Sequence, residues 1–172
     1  MSAKRCVMIV SIAFLILLAV HMGASYGRLP DRVASHFDLS GRPNGWMDKA
    51  SLLIMFVAMA VAFNALTLLL VPWLIRKTPQ RWVNLPWKRY WFATPERKEQ
   101  AMQRQEAVGT AAGVVTNLLL LIAWHTIYQE NVLGARPRLP IGGVVYMVLG
   151  IAVVYILWAL LYLRPPRTDS PR

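Results

Sequence analysis

The side chains that could bind a metal or transfer a proton are few in this chain. Its 172 residues include three histidines, one cysteine and eight carboxylates. Imidazole and carboxylate groups from separate segments can together form a zinc or other divalent site, so the histidines are candidate metal ligands: His21, His36 and His125. The spacing of the three histidines matches no metal-binding motif. The sequence therefore favours structural roles for them and predicts no cofactor.

Other catalytic signals are equally sparse. The chain has no phosphate-binding glycine loop and no H-E-x-x-H helix. Asp31, Asp38 and Asp48 stand near arginines and a lysine, which is more typical of solvated ion pairs than of acid-base catalysis. The single thiol, Cys6, excludes an internal disulfide and a thiolate cluster. A non-enzymatic protein is favoured, and a metal-dependent enzyme at the outer membrane leaflet remains an alternative.

Long apolar runs must position these side chains. Hydrophobic residues make up 56% of the chain and charged residues 16%, with a mean hydropathy of +0.42. Four runs reach or approach the roughly 20 residues that a spanning helix needs. We expect one membrane domain, residues 1–172, with spans at about 6–24, 50–75, 108–128 and 141–163. The first run also resembles a signal peptide, but we interpret it as an uncleaved anchor.

The distribution of positive charge predicts the orientation of these spans. Of the 19 lysines and arginines, 13 lie in the N-terminus, the 76–107 loop and the C-terminal tail. Because cytoplasmic segments retain cations during insertion, both termini and this loop should be cytoplasmic. The 25–49 loop and the short turn at 129–140 are then external. All three histidines fall at or beyond the outer boundary.

Small and amide side chains indicate how the spans pack. Gly109 and Gly113 form a G-x-x-x-G pair in the third span, and Asn64 and Asn117 lie near the middle of consecutive spans. We expect the two amides to hydrogen-bond at mid-depth, as polar groups often join membrane helices. A ligand or ion path along them is the alternative. No charged residue lies deep in any predicted span, which disfavours a proton-coupled transporter.

The two long loops carry different local signals. Val33 to Leu39 alternates like a strand and precedes turn-forming residues, so the outer loop should form a short β-hairpin, which we expect His36 to dock on the helix ends. In the 76–107 loop, Arg81 to Phe92 interleaves cations and aromatics, which is typical of a headgroup-facing segment rather than a nucleic-acid surface. Thr94 and Pro95 read as the N-cap and first residue of a helix, and Asp48 or Ser51 can cap the second span. The predicted fold is all-α integral membrane: a four-helix transmembrane bundle with a short outer hairpin and an interfacial cytoplasmic segment.

Two motifs in these loops resemble a known family. Leu29-Pro30-x-x-Val33-x-x-His36-Phe37-x-x-x-Gly41-x-x-Asn44-Gly45, followed by Lys49, and Asn84-Leu85-Pro86-x-Lys88-x-Tyr90-Trp91, followed by Pro95-Glu96-Arg97, occur in order. The pair resembles the small bacterial membrane domain of unknown function found in the SdpI-like immunity proteins. This resemblance implies a helical protein of the bacterial cytoplasmic membrane, in some members an immunity and signalling partner for a secreted toxic peptide. The chain has fewer spans than the longer immunity proteins.

The resemblance implies two sets of functional residues. Ligand contacts in the outer motif would come from His36, Phe37, Asp38, Gly41, Asn44, Gly45 and Lys49. The cytoplasmic, lipid-facing motif would comprise Asn84, Pro86, Lys88, Tyr90, Trp91, Glu96 and Arg97. The leading hypothesis is a small non-enzymatic membrane protein whose outer loop recognises a peptide, lipid or protein. Expected partners are anionic lipids and a membrane protein or secreted peptide, not nucleic acid. An accessory subunit that packs through its G-x-x-x-G face is an alternative.

Overall fold

The computed structural model describes residues 3–38, 40–132 and 141–166. In chain order these form α1 (Ala3–Tyr26), β1 (Arg32–Phe37), β2 (Pro43–Asp48), α2 (Lys49–Ala65), a π-helical turn (Leu66–Leu70), α3 (Val71–Lys77), a 3-10 turn (Gln80–Trp82), α4 (Lys88–Trp91), α5 (Pro95–Val132) and α6 (Ile141–Tyr162). The molecule has a hairpin end, where α1 ends and α2 begins, and a loop end, where α3 ends and α5 begins.

Four helical runs are long and apolar enough to cross a membrane. They are α1, the continuous run from α2 to α3, α5 and α6, so the predicted four apolar helices and the hairpin are present. α5 has 38 residues and begins at Pro95, where the Thr94 hydroxyl accepts the Arg97 amide at 3.3 Å, as predicted. At 1.5 Å per residue it is about 57 Å long. Most of the predicted 129–140 turn, from 133 onward, and the tail from 167 lie outside the described residues.

The second span changes helical pitch near its loop end. Leu66–Leu70 form a π-helical turn, and Pro72 follows at the start of α3. Proline has no amide hydrogen and its ring clashes with the carbonyl four residues earlier, so a regular α-helix cannot continue through it. The Val71 amide instead bonds to the Leu66 carbonyl, five residues back. This pitch change keeps the run continuous through the proline.

A polar cluster joins three helices in the middle of the bundle. The amide of Asn117 in α5 donates to the Asn64 side chain at 3.1 Å and accepts from it at 2.8 Å. It also donates to the Ser11 carbonyl of α1 at 3.0 Å, and the Asn64 amide donates to the Ala60 carbonyl at 2.8 Å. The predicted contact between the two asparagines is therefore confirmed. Both side chains are buried, and their hydrogen bonds connect α1, α2 and α5.

The G-x-x-x-G pair lies inside the bundle beside this cluster. A Cβ built on Gly113 would approach the hydroxyls of Thr67 and Ser11 to 2.8 and 2.9 Å, and one on Gly109 would approach Val71 to 2.7 Å. These distances are too short for a real side chain. The glycines let α5 approach both α1 and the second span. Their face is used within the chain, so it is not a free surface for a larger complex.

We predict that Gly113→Ala destabilises the bundle. The added methyl group must displace the hydroxyls of Thr67 and Ser11, of which the Ser11 hydroxyl accepts a hydrogen bond from Asn117, and overpacking of this kind costs about 1 to 3 kcal/mol. Thermal unfolding of the detergent-purified protein measures the effect. Gly150→Ala in α6 is the matched control, because nothing lies within 4 Å of its built Cβ. Equal melting temperatures for the two variants would contradict the close-packing role of Gly113.

Candidate functional site

The outer motif folds as a short antiparallel hairpin of two strands. β1 pairs with β2 in a register that places Arg32 opposite Asp48, Val33 opposite Met47 and Phe37 opposite Pro43, with irregular pairing around His36. Val33 is fully buried in the core formed with the helices, and Phe37 and Met47 pack against that core. The hairpin therefore has an inner, apolar side that rests on the helix ends. Its outward side carries exposed Trp46, His36 and Asn44.

Asp38 organises the tip of the hairpin. Its carboxylate accepts hydrogen bonds from the Ser40 amide at 2.8 Å, the Ser40 hydroxyl at 2.6 Å and the Arg42 amide at 2.9 Å. These bonds lower the pKa of Asp38 below its ordinary value, and the bond from the Ser40 hydroxyl has the largest effect. Gly41 adopts a φ of 82°, which a residue without Cβ tolerates best. Two residues of the outer motif thus shape the turn.

Asn131 attaches the hairpin to α5. Its side-chain carbonyl accepts the Ala34 amide at 2.8 Å, and its amide donates to the Ala34 carbonyl at 2.9 Å and to the Ile127 carbonyl at 2.8 Å. Ala34 is only 6% exposed, so its peptide groups would otherwise lack water. The Asn131 side chain therefore provides hydrogen-bond partners for both the backbone amide and the backbone carbonyl of Ala34. We call this contact the Asn131 clamp.

The other strand runs directly into the second span. Asp48 ends β2 and caps α2, because its carboxylate accepts the Ser51 amide at 2.7 Å. The predicted capping role of Asp48 is confirmed, and this bond to the backbone lowers its pKa. Lys49 pairs with Asp31 at 2.8 Å and lowers the pKa of that carboxyl through its hydrogen bond. No linker separates hairpin from helix, so the hairpin is held by α2 at one strand and by α5 at the other.

The three histidines do not meet at one point. His21 Nε2 and His125 Nδ1 are 3.2 Å apart, on α1 and α5 near the hairpin end. His36 is exposed on the hairpin, and no group of three or more histidine, cysteine or carboxylate side chains that could hold a metal occurs among the described residues. We expected His36 to dock the hairpin. In the described part of the chain, Asn131 makes that attachment instead.

The segment Gly23–Gly27 matches the G-x-S-x-G pattern of serine hydrolases by residue type. Ser25 is buried near the end of α1, where its hydroxyl donates to the His21 carbonyl at 2.6 Å and accepts from the Trp124 indole at 2.7 Å. A nucleophile elbow needs an exposed serine on a strand-to-helix turn. Ser25 therefore has a structural role, because its hydroxyl joins α1 to Trp124 of α5.

Glu106 is the buried charge of the loop end. It is 1% exposed on α5, and Lys4 of α1 binds its Oε2 at 2.7 Å while Arg76 of α3 pairs with its Oε1. A carboxylate this buried requires cations beside it, because removing it from water is costly. The three residues therefore join the ends of three helices. We call them the Glu106 cluster.

The motif predicted to be cytoplasmic and lipid-facing packs partly inside the protein. Trp91, expected to face lipid, is instead fully buried: its indole donates to the Leu163 carbonyl at 3.0 Å, and Arg104 lies 4.9 Å above the ring. Burial follows because this loop packs under the end of α6. Trp82 and Trp87 are exposed, at 71% and 46%.

The other loop-motif residues lie around this contact. Arg97 stacks over Tyr90 at 4.3 Å, Lys88 donates to the Arg81 carbonyl at 3.3 Å, and Glu96 lies in the first turn of α5. Asn84 is exposed, and Pro86 is half-buried.

Neither Asn131 nor Glu106 was predicted from the sequence. Each lies on one stripe of α5, which is buried from Glu106 to Ile127 and half-buried at Asn131. The stripe contains Glu106, Thr110, Gly113, Asn117, Leu120, Trp124, Ile127 and Asn131, spaced alternately by four and three residues. This spacing keeps residues on one helix face. Extending the stripe from Asn117 in both directions would have identified them.

We predict that Asn131→Ala loosens the hairpin without unfolding the bundle. The change leaves the amide and carbonyl of Ala34 without partners, which costs about 1 to 3 kcal/mol for each buried group. Hydrogen exchange of β1 amides should accelerate while exchange in the middle of α5 stays slow. Asn44→Ala, at an exposed hairpin position, is the control and should exchange like wild type. Unchanged β1 protection in Asn131→Ala would rule out the clamp.

Part of the chain is similar to a known family model. Residues 13–61, which include most of α1, the whole hairpin and most of α2, match the family model of a domain of unknown function, DUF1648. No curated protein and no solved structure matches the chain. The matched residues include the hairpin and its junction with α2. Asn131 and Glu106, both on α5, lie outside the match.

Proposed function

We propose that the protein is a non-enzymatic receptor of a bacterial cytoplasmic membrane, which recognises an extracellular peptide through the outward side of its hairpin. The observation that carries the proposal is the Asn131 clamp. It fastens the exposed hairpin to the same helix whose other end carries the buried Glu106. The immunity-like role that the outer motif implies fits this arrangement.

The outward side of the hairpin has the composition of a protein-binding surface. Trp46 is 53% exposed, and tryptophan and arginine are enriched among residues that contribute most to binding. Arg32 and Arg42 are also exposed, whereas Asp31, Asp38 and Asp48 are used in the ion pair, turn and cap described above. A peptide with an apolar side chain and acidic groups would complement this surface.

α5 supplies the physical connection between the two ends. It contacts the hairpin through Asn131 and then continues without interruption through Asn117 to Glu106. A peptide that displaces the hairpin would strain the clamp, and a rigid helix would carry the displacement to the Glu106 cluster. The function we infer is therefore recognition coupled to a change at the loop end.

The orientation of the protein is the first test. Variants lacking Cys6 and carrying one new cysteine at Ser40 or Gln103, both exposed, are treated in intact cells with an impermeant maleimide. We expect labelling at Ser40 and protection at Gln103, because the loop end carries most of the positive charge. The reverse pattern would place the hairpin in the cytoplasm and end the proposal.

Peptide recognition is tested with a reporter at the opposite end of the molecule. Cys6, the single cysteine, is exposed near the start of α1, so it accepts an environment-sensitive dye. We expect the secreted peptide fraction of the host's culture medium to produce a saturable change of dye emission in lipid nanodiscs. Trp46→Ala should abolish the change through lost contact, and Asn131→Ala should abolish it through lost coupling.

Trp82→Ala is the control for that experiment, since it removes an exposed indole from the loop end. It should respond like wild type. A response that survives Trp46→Ala, or no response in wild type, would contradict recognition through the hairpin.

A further inference from the structure

A polar cavity of about 420 Å³ lies at the loop end, beside the Glu106 cluster. Its lining includes Lys4 of α1, Arg76 of α3, and Gln100, Arg104 and Glu106 of α5. The Lys4 and Arg76 side chains are 38% and 53% exposed, so a solute can reach the cavity from outside the protein. The volume lies within the range of about 300 to 1,000 Å³ typical of small-molecule sites.

This cavity carries more positive charge than Glu106 can neutralise. Its described lining has three cations, Lys4, Arg76 and Arg104, and one carboxylate, Glu106, which gives a formal charge of +2. Glu99 lies 3.8 Å from Arg76, but it is not part of the described lining and is exposed, so water screens its charge. A cavity lined by an excess of one sign of charge attracts ions of the other sign.

Arg104 is held in place by neutral groups. Its Nη1 donates to the Tyr162 and Arg164 carbonyls at 2.8 and 2.9 Å, and its guanidinium lies 4.9 Å from the centre of the Trp91 ring. None of the ion pairs among the described residues includes Arg104. A guanidinium has five N–H donors, of which Nη1 supplies two, so Nε and Nη2 can donate to a ligand.

Lys4 has donors to spare as well. Its ammonium group has three N–H donors, and one of them binds Glu106 Oε2 at 2.7 Å. Glu106 thereby holds Lys4 at the wall of the cavity and, through its other oxygen, holds Arg76 there too. The cavity thus presents an ammonium and a guanidinium, the two groups with which proteins most often bind phosphate.

The size of the excess charge distinguishes between classes of anion. A phosphate monoester carries a charge of about −1.5 to −2 at pH 7 and has three acceptor oxygens, so it would bring the charge of the described lining close to zero. A phosphodiester has a single negative charge and would leave the lining positive. The lining therefore matches the monoester better than the diester that most membrane lipids contain.

We propose that this cavity binds a phosphate monoester group, whose oxygens accept hydrogen bonds from Lys4 and Arg104. The inference does not depend on peptide recognition by the hairpin, which lies at the other end of the molecule. The headgroup of phosphatidic acid and a soluble phosphate ester both contain this group, and the experiment below distinguishes the two sources.

Gln100 offers a way to change the charge of the cavity without breaking its ion pairs. It lines the cavity and is exposed, and its side chain takes part in none of the hydrogen bonds of the described residues. Gln80 is the matched control, because it is an exposed glutamine of the loop end that is not part of the described lining. Equivalent substitutions at the two positions change the net charge of the protein by the same amount.

The experiment has one arm for each source. Calorimetry measures the binding of glycerol 3-phosphate to the protein in nanodiscs of phosphatidylcholine. Native mass spectrometry measures which lipid the protein retains after reconstitution with equal amounts of phosphatidic acid and phosphatidylglycerol. Calorimetric binding would identify a soluble ester as sufficient, and retention of phosphatidic acid without it would identify a lipid headgroup; either result supports the proposal.

The variants test whether binding occurs in this cavity. Gln100→Glu should weaken the binding about tenfold, because it adds a negative charge to the lining, and Gln100→Lys should strengthen it about tenfold. Gln80→Glu and Gln80→Lys should bind like wild type. A gain of affinity requires a folded site, so the Gln100→Lys result cannot arise from misfolding.

Three outcomes would overturn the proposal. The first is an absence of binding in both arms. The second is equal retention of phosphatidylglycerol and phosphatidic acid, which would indicate general attraction of anionic lipid. The third is a pair of Gln100 variants that bind no differently from the Gln80 variants, which would place the phosphate elsewhere on the protein.

Discussion

The bundle depends on a constraint at its centre: three helices must approach closely while burying amide groups. Lipid provides no hydrophobic drive between helices, so close packing and hydrogen bonds must provide the association. Gly113 permits the approach, and Asn117 links α1 to the second span through Ser11 and Asn64. The other α5 contacts, Trp124 with Ser25, Asn131 with Ala34 and Lys4 with Glu106, lie on the same face. Their positions follow from the register that the central contact establishes.

Features that depend on local chemistry could be predicted from the sequence. Apolar run length predicted four helices, turn residues predicted the hairpin, and Thr94-Pro95 and Asp48 predicted two helix starts. The Asn64–Asn117 contact was also predictable, because two amides at equal depth in consecutive antiparallel helices have few other partners. Each of these inferences needs only neighbouring residues or a matched depth in the membrane.

Features that depend on which helices become neighbours were not predictable in the same way. Trp91 belongs to an aromatic and basic segment typical of an interface, but the end of α6 covers it and accepts its indole hydrogen bond. His36 occupies the middle of the outer motif, yet Asn131, almost 100 residues later, docks the hairpin. Local composition describes a residue's affinity for an environment. It does not determine which distant segment supplies that environment.

The attachment of α6 has a consequence for how the molecule can deform. Among the described residues, its polar contacts lie toward the loop end: Tyr155 with Val108, Leu163 with Trp91, and Tyr162 and Arg164 with Arg104. In the helix portion nearer the hairpin, α6 faces α1 across a cavity that His21 and His125 line. The portion of α6 near Trp91 is therefore fixed to α5 by hydrogen bonds, whereas the portion near the histidines can change its distance from α1 without breaking any of these polar contacts.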